Sequence, residues 1–501
     1  MSHRHTAVRV LTRGEGGRPR WIVRLGVGAG LVVVMGAAAS PAVAAEPPVT
    51  AGTITVGDNP WDVAITPDGR TGYVTVSGED ALDVIHVGTS AVVGSIPVGR
   101  DPQGVEIAPN GLVYVANFVD GTVSAVDPAA GAAVATIPVG FHPQGVAASG
   151  DRVLVTNYGV QDSPDPGSVS VIDTATNSVI GEPIGVGANP AQIAVSPDSS
   201  TAYVTNRVDG TISVIDLADL AVTATVPVGA RPWGIVFSPS GGTAYVALAG
   251  DNAVAVLTTA TLTVADLIDV GPGLQPWGIA LSADASLLFV ANSASESLGT
   301  VDLSTQTLLF DSDTDIDGWN IAADSSGCIA LVTNFAQNTV TVMDVSEPIA
   351  LLDSPVLLAQ VGRQYDYQIG VSPAGAKTSF EIVSGRLPAG LSLDATSGRI
   401  TGIPTEPGDF AFGIGATSCD KTARSGFTLS VDPGSPATDT SRPKLAETGS
   451  TSSDPLLAAA GLVAVGSVLA VLARTRGVTR TSRAPGGGGA GRSRRRECDD
   501  R

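Results

Sequence analysis

A phrase of about 42 residues recurs through the middle of the chain and restricts what it can fold into more than any other feature. Its plainest copy is Thr201-Ala202-Tyr203-Val204-Thr205-Asn206, then Asp209-Gly210, then Thr211-Ile212-Ser213-Val214-Ile215-Asp216. A Val-Gly pair marks six copies, at Val56-Gly57, Val98-Gly99, Val139-Gly140, Val186-Gly187, Val228-Gly229 and Val270-Gly271, spaced by 42, 41, 47, 42 and 42 residues. Three residues after most of these glycines stands a proline: Pro60, Pro102, Pro143, Pro190 and Pro232. In the sixth copy Pro276 comes two residues late, and in the seventh Gly318 takes the proline's place.

Each unit offers four strand-like runs. Strand A is short and apolar, as in Gly234-Ile235-Val236-Phe237, and a tight turn such as Pro67-Asp68-Gly69 follows it. Strand B is Tyr-Val-Thr-Asn or a relative. Strand C alternates strictly, as in Thr339-Val340-Thr341-Val342-Met343-Asp344, and strand D resembles Thr223-Ala224-Thr225-Val226-Pro227-Val228. A four-stranded unit of this size cannot bury both of its faces alone. Units stacked radially cover one another, which is a β-propeller. Seven A strands start near Trp61, Gln103, Gln144, Ala191, Trp233, Trp277 and Trp319. The chain opens on a D-type strand, Thr53-Ile54-Thr55-Val56, and leaves the last unit after a C strand at Asp344. The opening strand is therefore expected to complete the seventh blade, giving a seven-bladed propeller over residues 52–348. These residues resemble the YVTN repeat family of seven-bladed propellers of surface-layer and secreted bacterial proteins. The resemblance speaks for fold; propellers host many functions.

From Ser354 to Val431 the pattern changes. Leu387-Pro388-Ala389-Gly390-Leu391-Ser392-Leu393-Asp394 is followed by Ser397-Gly398-Arg399-Ile400-Thr401-Gly402-Ile403-Pro404, then Phe410-Ala411-Phe412-Gly413-Ile414 and Phe427-Thr428-Leu429-Ser430-Val431. Residues 354–432 resemble the He-PIG Ig domain of bacterial surface proteins, which implies a small antiparallel sandwich acting as a spacer or adhesion unit. The expected fold class is all-β: a seven-bladed β-propeller followed by a small Ig-like β-sandwich.

The two ends read as addresses. Arg4, Arg9, Arg13, Arg18, Arg20 and Arg24 precede an apolar run, Leu25 to Ala39, and then Ser40-Pro41-Ala42-Val43-Ala44. This is the pattern of a secretory signal peptide, residues 1–44, cut after Ala44. An uncleaved anchor is the alternative. Near the other end stand Leu445-Ala446-Glu447-Thr448-Gly449, an apolar run over 455–473, and a basic tail over 474–501 that carries Arg494-Arg495-Arg496. Nineteen helical residues span about 28 Å, roughly a hydrocarbon core, and the arginines would keep the tail cytoplasmic. Motif, span and basic stop resemble a sortase cell-wall sorting signal. Ala446 replaces the usual proline, as in the variant read by class E sortases of high-GC Gram-positive bacteria. The resemblance implies cleavage between Thr448 and Gly449 and an amide link from Thr448 to peptidoglycan. A plain membrane anchor is the alternative. Residues 433–444, rich in Pro, Ser and Thr, read as a linker through the wall.

Removing both ends leaves an acidic body. The full chain carries a net charge of −20, but Glu46 to Thr448 holds 13 basic against 43 acidic residues, a net of −30. Such a surface repels phosphate backbones, so nucleic acid is not an expected partner.

Several constellations could carry function. Trp61, Trp233, Trp277 and Trp319 all open a strand A near the axis, and the fifth tryptophan, Trp21, lies in the leader. They either pack the channel rim or line an aromatic pocket for an extracellular glycan, peptide or protein ligand. Blade 3 is six residues longer than blade 2, with the excess around Gly159 to Pro166 on the same face. Asp313, Asp315 and Asp317, with Asp324 at position twelve, have the spacing of an EF-hand calcium loop. No helices flank them, and the expected cofactor is none, with calcium as the exception. Cys328 and Cys419 could pair outside the cell, although their separation is not legible in sequence. Only His86 and His142 remain in the mature chain. His142 lies on the tryptophan face, and acidic loop residues such as Asp101 could stand beside it, the arrangement of propeller lyases and lactonases. The chain has no serine-nucleophile elbow, P-loop, zinc spacing or dinucleotide fingerprint, so catalysis is not expected. The reading is a cell-wall-anchored, non-catalytic surface protein with a binding or adhesion face. A structural wall or surface-layer component and a secreted propeller enzyme are the alternatives.

Overall fold

The computed structural model describes residues 47–295, 297–313, 318–346, 348–352, 357–372, 378–419 and 421–433. Among these residues there is no α-helix. Blade 4 shows the plan: strand A, Pro190–Val195, strand B, Thr201–Asn206, strand C, Thr211–Asp216, and strand D, Ala221–Pro227, form one antiparallel sheet in chain order. Seven such sheets follow one another, with strand D of blade 3 split into Ser178–Val179 and Ile184–Ala188, both paired with strand C. Their A strands are Pro60–Ile65, Pro102–Ile107, Pro143–Ser149, Pro190–Val195, Pro232–Phe237, Pro276–Leu281 and Gly318–Ala323. Each A strand touches the next, and the seventh touches the first, so the ring closes around a central channel. The closing strand D of blade 7 is Val49–Thr55, paired antiparallel with Thr339–Asp344. The fold is thus the expected propeller, closed by its first strand.

The core belongs to pairs of blades. Tyr203, Ile212 and Val226 of blade 4 pack with Phe237, Val246 and Leu257 of blade 5. Ile54, Val340 and Val342 of blade 7 pack with Val74 and Ile85 of blade 1. Period-two alternation supplies an apolar stripe on both faces of each sheet, and each stripe is buried only by the neighbour.

The Tyr-Val-Thr-Asn phrase has a chemical reason at each polar position. In blade 4 the Thr205 hydroxyl accepts from the backbone N–H of Gln192 (3.0 Å) and donates to the carbonyl of Trp233 in blade 5 (2.8 Å). Thr75, Thr156 and Thr333 reach the carbonyls of Gln103, Ala191 and Trp61 in the same way. The threonine is a clasp from one blade to the next. The asparagine instead ties down its own hairpin. Asn117 donates to Thr122 and Ser124 of strand C and accepts from the N–H of Gly99. A Cβ on Gly99 or Gly140 would strike Asn117 or Asn157, which explains the glycine of the Val-Gly pair.

The sandwich has Leu357–Gln360, Lys421–Asp432, Gly408–Ser418 and Thr378–Gly385 in one sheet, with Tyr365–Gln368, Arg399–Gly402 and Leu391–Leu393 opposite. Phe380, Ile400, Phe412, Ile414, Phe427 and Leu429 fill its core. Gly390 and Gly402 approach so closely, both at positive φ, that a Cβ on either would strike the other strand's backbone. That contact accounts for two glycines of the sandwich's sequence signature.

Sandwich and propeller are joined covalently. Cys328, in the A-to-B turn of blade 7, and Cys419, in the turn of the long sandwich hairpin, form a disulfide with a Cα–Cα distance of 5.6 Å. Lys421 adds an ion pair to Asp344 at the end of strand C, 3.5 Å long. Both links lie on the A-to-B and C-to-D side of the propeller. The leader (1–44), the linker (433–444, but for Pro433), Leu445 to Gly449, the span 455–473 and the tail lie outside the described residues. Among the described residues no helix is long and apolar enough to cross a membrane.

Candidate functional site at the channel mouth

On the other side, the D-to-A and B-to-C loops build a mouth from three positions per blade. The first precedes the proline: Asn59, Asp101, His142, Asn189, Arg231 and Gln275, all left-handed with φ between 48 and 58°. Non-glycine residues adopt this conformation at a cost, and here the cost meets a repeated contact. The carbonyl of each accepts from the residue that follows strand B: Ser77, Phe118, Tyr158, Arg207, Ala249 and Ser293. Those residues are the second set. The third follows the proline, where every A strand slips register against strand B. This bulge turns the side chains of Trp61, Gln103, Gln144, Ala191, Trp233, Trp277 and Trp319 into one layer at the top of the channel.

The four tryptophans come together. Trp233 and Trp277 have ring centroids 4.1 Å apart, Trp277 and Trp319 4.7 Å, and Trp319 and Trp61 4.6 Å. Phe335 stacks on Trp319 at 4.4 Å. Trp233 is 7% exposed, while the other three are half-buried. Across the mouth Phe118 stacks on His142 at 4.2 Å, and Tyr158 and Ala191 join the aromatic layer to Trp233. Gln103 and Gln144, 4% and 3% exposed, hold the remaining bulge positions. Their Oε1 atoms, and Nε1 of Trp277, are buried without a hydrogen-bond partner among the described residues. The layer therefore combines partly exposed aromatic faces with three buried polar atoms.

The blade-3 insertion folds over the mouth beside Trp233. Asn189 donates to the carbonyls of Tyr158 and Val160 and holds it in place. Arg207 binds Asp162 of the insertion and the Tyr158 hydroxyl, with its guanidinium carbon 6.0 Å from the Trp233 ring. A cavity of 650 Å³ opens between Arg207 and Arg231.

Beneath the tryptophan layer the channel widens into a cavity of 720 Å³ that reaches the A-to-B loops at Pro67 and Pro109. Two acids line it that sequence reasoning missed, Asp62 and Glu106. Asp62 is 8% exposed and accepts from the N–H groups of Val63 and Val105 and from Asn320 of blade 7. Burial pushes its carboxyl from 3.8 up to about 7 against those hydrogen bonds. Burial, with Asp62 beside it, pushes Glu106 from 4.5 to about 8. The signal was present in the repeats. At the position of Asp62 four blades have Gly104, Gly145, Gly234 and Gly278 and two have the neutral amides Gln192 and Asn320; at the position of Glu106 every other blade has a small or apolar residue. Both acids retain protons in the fold that the unfolded chain releases. Their contribution is therefore most favourable below about pH 4 and is lost as pH rises towards 7 to 8. Glu106→Gln is expected to raise Tm by a few degrees at pH 9 and to leave it unchanged at pH 4. Equal melting at pH 9 contradicts this.

Asp324 binds the A-to-B turn of blade 7: Oδ1 accepts from Cys328 and Ile329, and Oδ2 from Ser326. Asp313 ends strand D of blade 6, and Asp315 and Asp317 lie outside the described residues. Among the described residues no three His, Cys, Asp or Glu side chains group as metal ligands. His86 sits away from the mouth, accepting from Thr89. His142 lies between Phe118 and Phe141, with Nδ1 2.8 Å from the Gly159 carbonyl. Asp101 stands near it, its carboxyl raised by burial and by Asp80 against a hydrogen bond from Gln103 and the charge of His142.

Residues 116–286, from blade 2 to blade 6, match the choice-of-anchor I domain family, and residues 348–432 match the He_PIG Ig domain family. The first match points to a surface or anchored protein. A solved chain of hydrazine synthase from Kuenenia stuttgartiensis shares the fold, with a TM-score of 0.53 and 20% identity over 58% of this chain and 98% of that one. At that identity the likeness is one of fold alone. No curated protein is significantly similar in sequence.

Proposed function

We propose that the chain is a non-catalytic surface protein whose propeller mouth binds an extracellular glycan, peptide or protein. One observation carries the reading. The blades are uniform where they pack and differ where they meet at the mouth, and the sandwich is fastened to the opposite side by Cys328–Cys419 and Lys421–Asp344. A chain held from its C-terminal side would turn the aromatic mouth outward. His142, sandwiched between two phenylalanines with Nδ1 turned to a carbonyl, suits packing better than proton transfer.

In this reading the protein is exported and then anchored covalently. A class E sortase cuts between Thr448 and Gly449 and joins Thr448 to peptidoglycan in the wall of a high-GC Gram-positive bacterium. The order of motif, apolar run and arginine tail supports it. Thr448→Ala is expected to move the protein from the wall fraction to the detergent-soluble membrane fraction. Unchanged resistance to detergent contradicts sorting at this motif. Glycan and peptide arrays test the mouth itself, and a structural wall component would bind nothing specifically.

A further inference from the structure

We propose that the cavity between Arg207 and Arg231 receives an anionic group, a carboxylate or phosphate carried on a sugar whose ring stacks on the tryptophan layer. The inference rests on the mouth being the binding face and names the chemistry it takes. The propeller between residues 47 and 346 holds only five cationic side chains other than histidine: Arg70, Arg100, Arg152, Arg207 and Arg231. Two of them line one cavity. Four of the five have acceptors: Arg70 lies near Asp68, Arg100 binds Asp120, Arg152 binds the Leu217 carbonyl and Arg207 binds Asp162. Arg231 is exposed and has no such partner among the described residues.

The acids of the same cavity are already engaged. Asp162 holds Arg207, and Asp209 accepts from the Ala188 N–H, as Asp120 does from Arg100 and Asp251 from Ala230. A ligand anion is the acceptor that would complete the pair. Arg207 is pre-oriented for it. Its side chain is 13% exposed, and the Tyr158 hydroxyl and Asp162 fix Nη1, leaving Nε and Nη2 without a protein acceptor among the described residues. Arg231 stands close enough to influence the Tyr158 hydroxyl, so both guanidinium groups border one space. Trp233 lies directly behind Arg207, and Trp277 beside it, which places aromatic faces next to the cationic corner. The surrounding acidic body repels anions elsewhere, so this corner would be selective.

The test is calorimetric titration of the purified chain with an oligogalacturonate, its full methyl ester and an oligogalactoside of the same length bearing phosphate monoesters. At least one charged probe is expected to bind roughly tenfold or more tightly than the ester, as charge-assisted hydrogen bonds warrant. Preference between the two charged probes tells carboxylate from phosphate. Arg231→Gln is expected to abolish the advantage of charge and to spare the ester. Equal affinity for charged and esterified probes, no binding of either charged probe, or an unchanged advantage in Arg231→Gln overturns the inference. Binding that Trp319→Ala weakens but Arg231→Gln leaves unchanged rejects the anion corner and keeps the mouth. Binding indifferent to both substitutions rejects both.

Discussion

Deletion of residues 47–56 is expected to abolish the cooperative melt of the propeller. Those residues are the only strand D that blade 7 has. Ile54 and Val56 fill the core between blades 7 and 1, and Val49–Thr55 pairs with Thr339–Asp344 through one bulge. Losing two buried aliphatic side chains costs about 3–6 kcal/mol, and losing the ladder adds about 1 kcal/mol per hydrogen bond. The sum approaches the roughly 5–15 kcal/mol that holds a whole domain together. The deletion also bares the edge of strand C, a template for pairing between chains. Circular dichroism and size exclusion should show a lost or strongly lowered transition and aggregation. A monomer melting within a few degrees of the intact chain contradicts closure by this strand.

Trp319→Ala is expected to weaken ligand binding by about tenfold or more while leaving a folded, less stable ring. Trp319 touches Trp61, Trp277 and Phe335, more aromatic neighbours than any other tryptophan of the layer. Truncating a large aromatic side chain costs about 3–5 kcal/mol when fully buried, and less here because Trp319 is half-buried. The ring keeps its clasps, since Thr205 and Thr333 bond to backbone carbonyls that the substitution does not alter. Binding should therefore fall more than stability does. Full affinity in a folded Trp319→Ala chain contradicts a role for the layer.

The blade plan was legible because each feature that fixes it repeats. The proline before the bulge, the Thr205 clasp and the Asn206 tie are spaced along the chain as they are around the ring, so periodicity alone finds them. The end order, strand D first and strand C last, gave the closure. The mouth was legible only in part. Equivalent position predicts that Trp61, Trp233, Trp277 and Trp319 share a layer. It does not predict Arg207 reaching the inserted Asp162, because that contact depends on how one irregular loop folds across two blades. Asp62 and Glu106 were overlooked for a different reason. Each is the one acid at its position around the ring, Asp62 among four glycines and the amides Gln192 and Asn320 and Glu106 among alanines and a valine, and only comparison position by position exposes it. The approach of Cys328 to Cys419, 91 residues apart, depends on how the sandwich docks, for which no local pattern exists.

Every tryptophan beyond Trp21 lies in the mouth layer, so tryptophan emission of a chain beginning at Ala45 reports on that layer alone. The most direct test is tryptophan emission measured during titration with a ligand whose binding calorimetry has established. Binding at the mouth predicts a change in emission that saturates at the calorimetric affinity and is diminished in Trp319→Ala. A ligand that saturates the protein by calorimetry without altering tryptophan emission would place the binding face elsewhere.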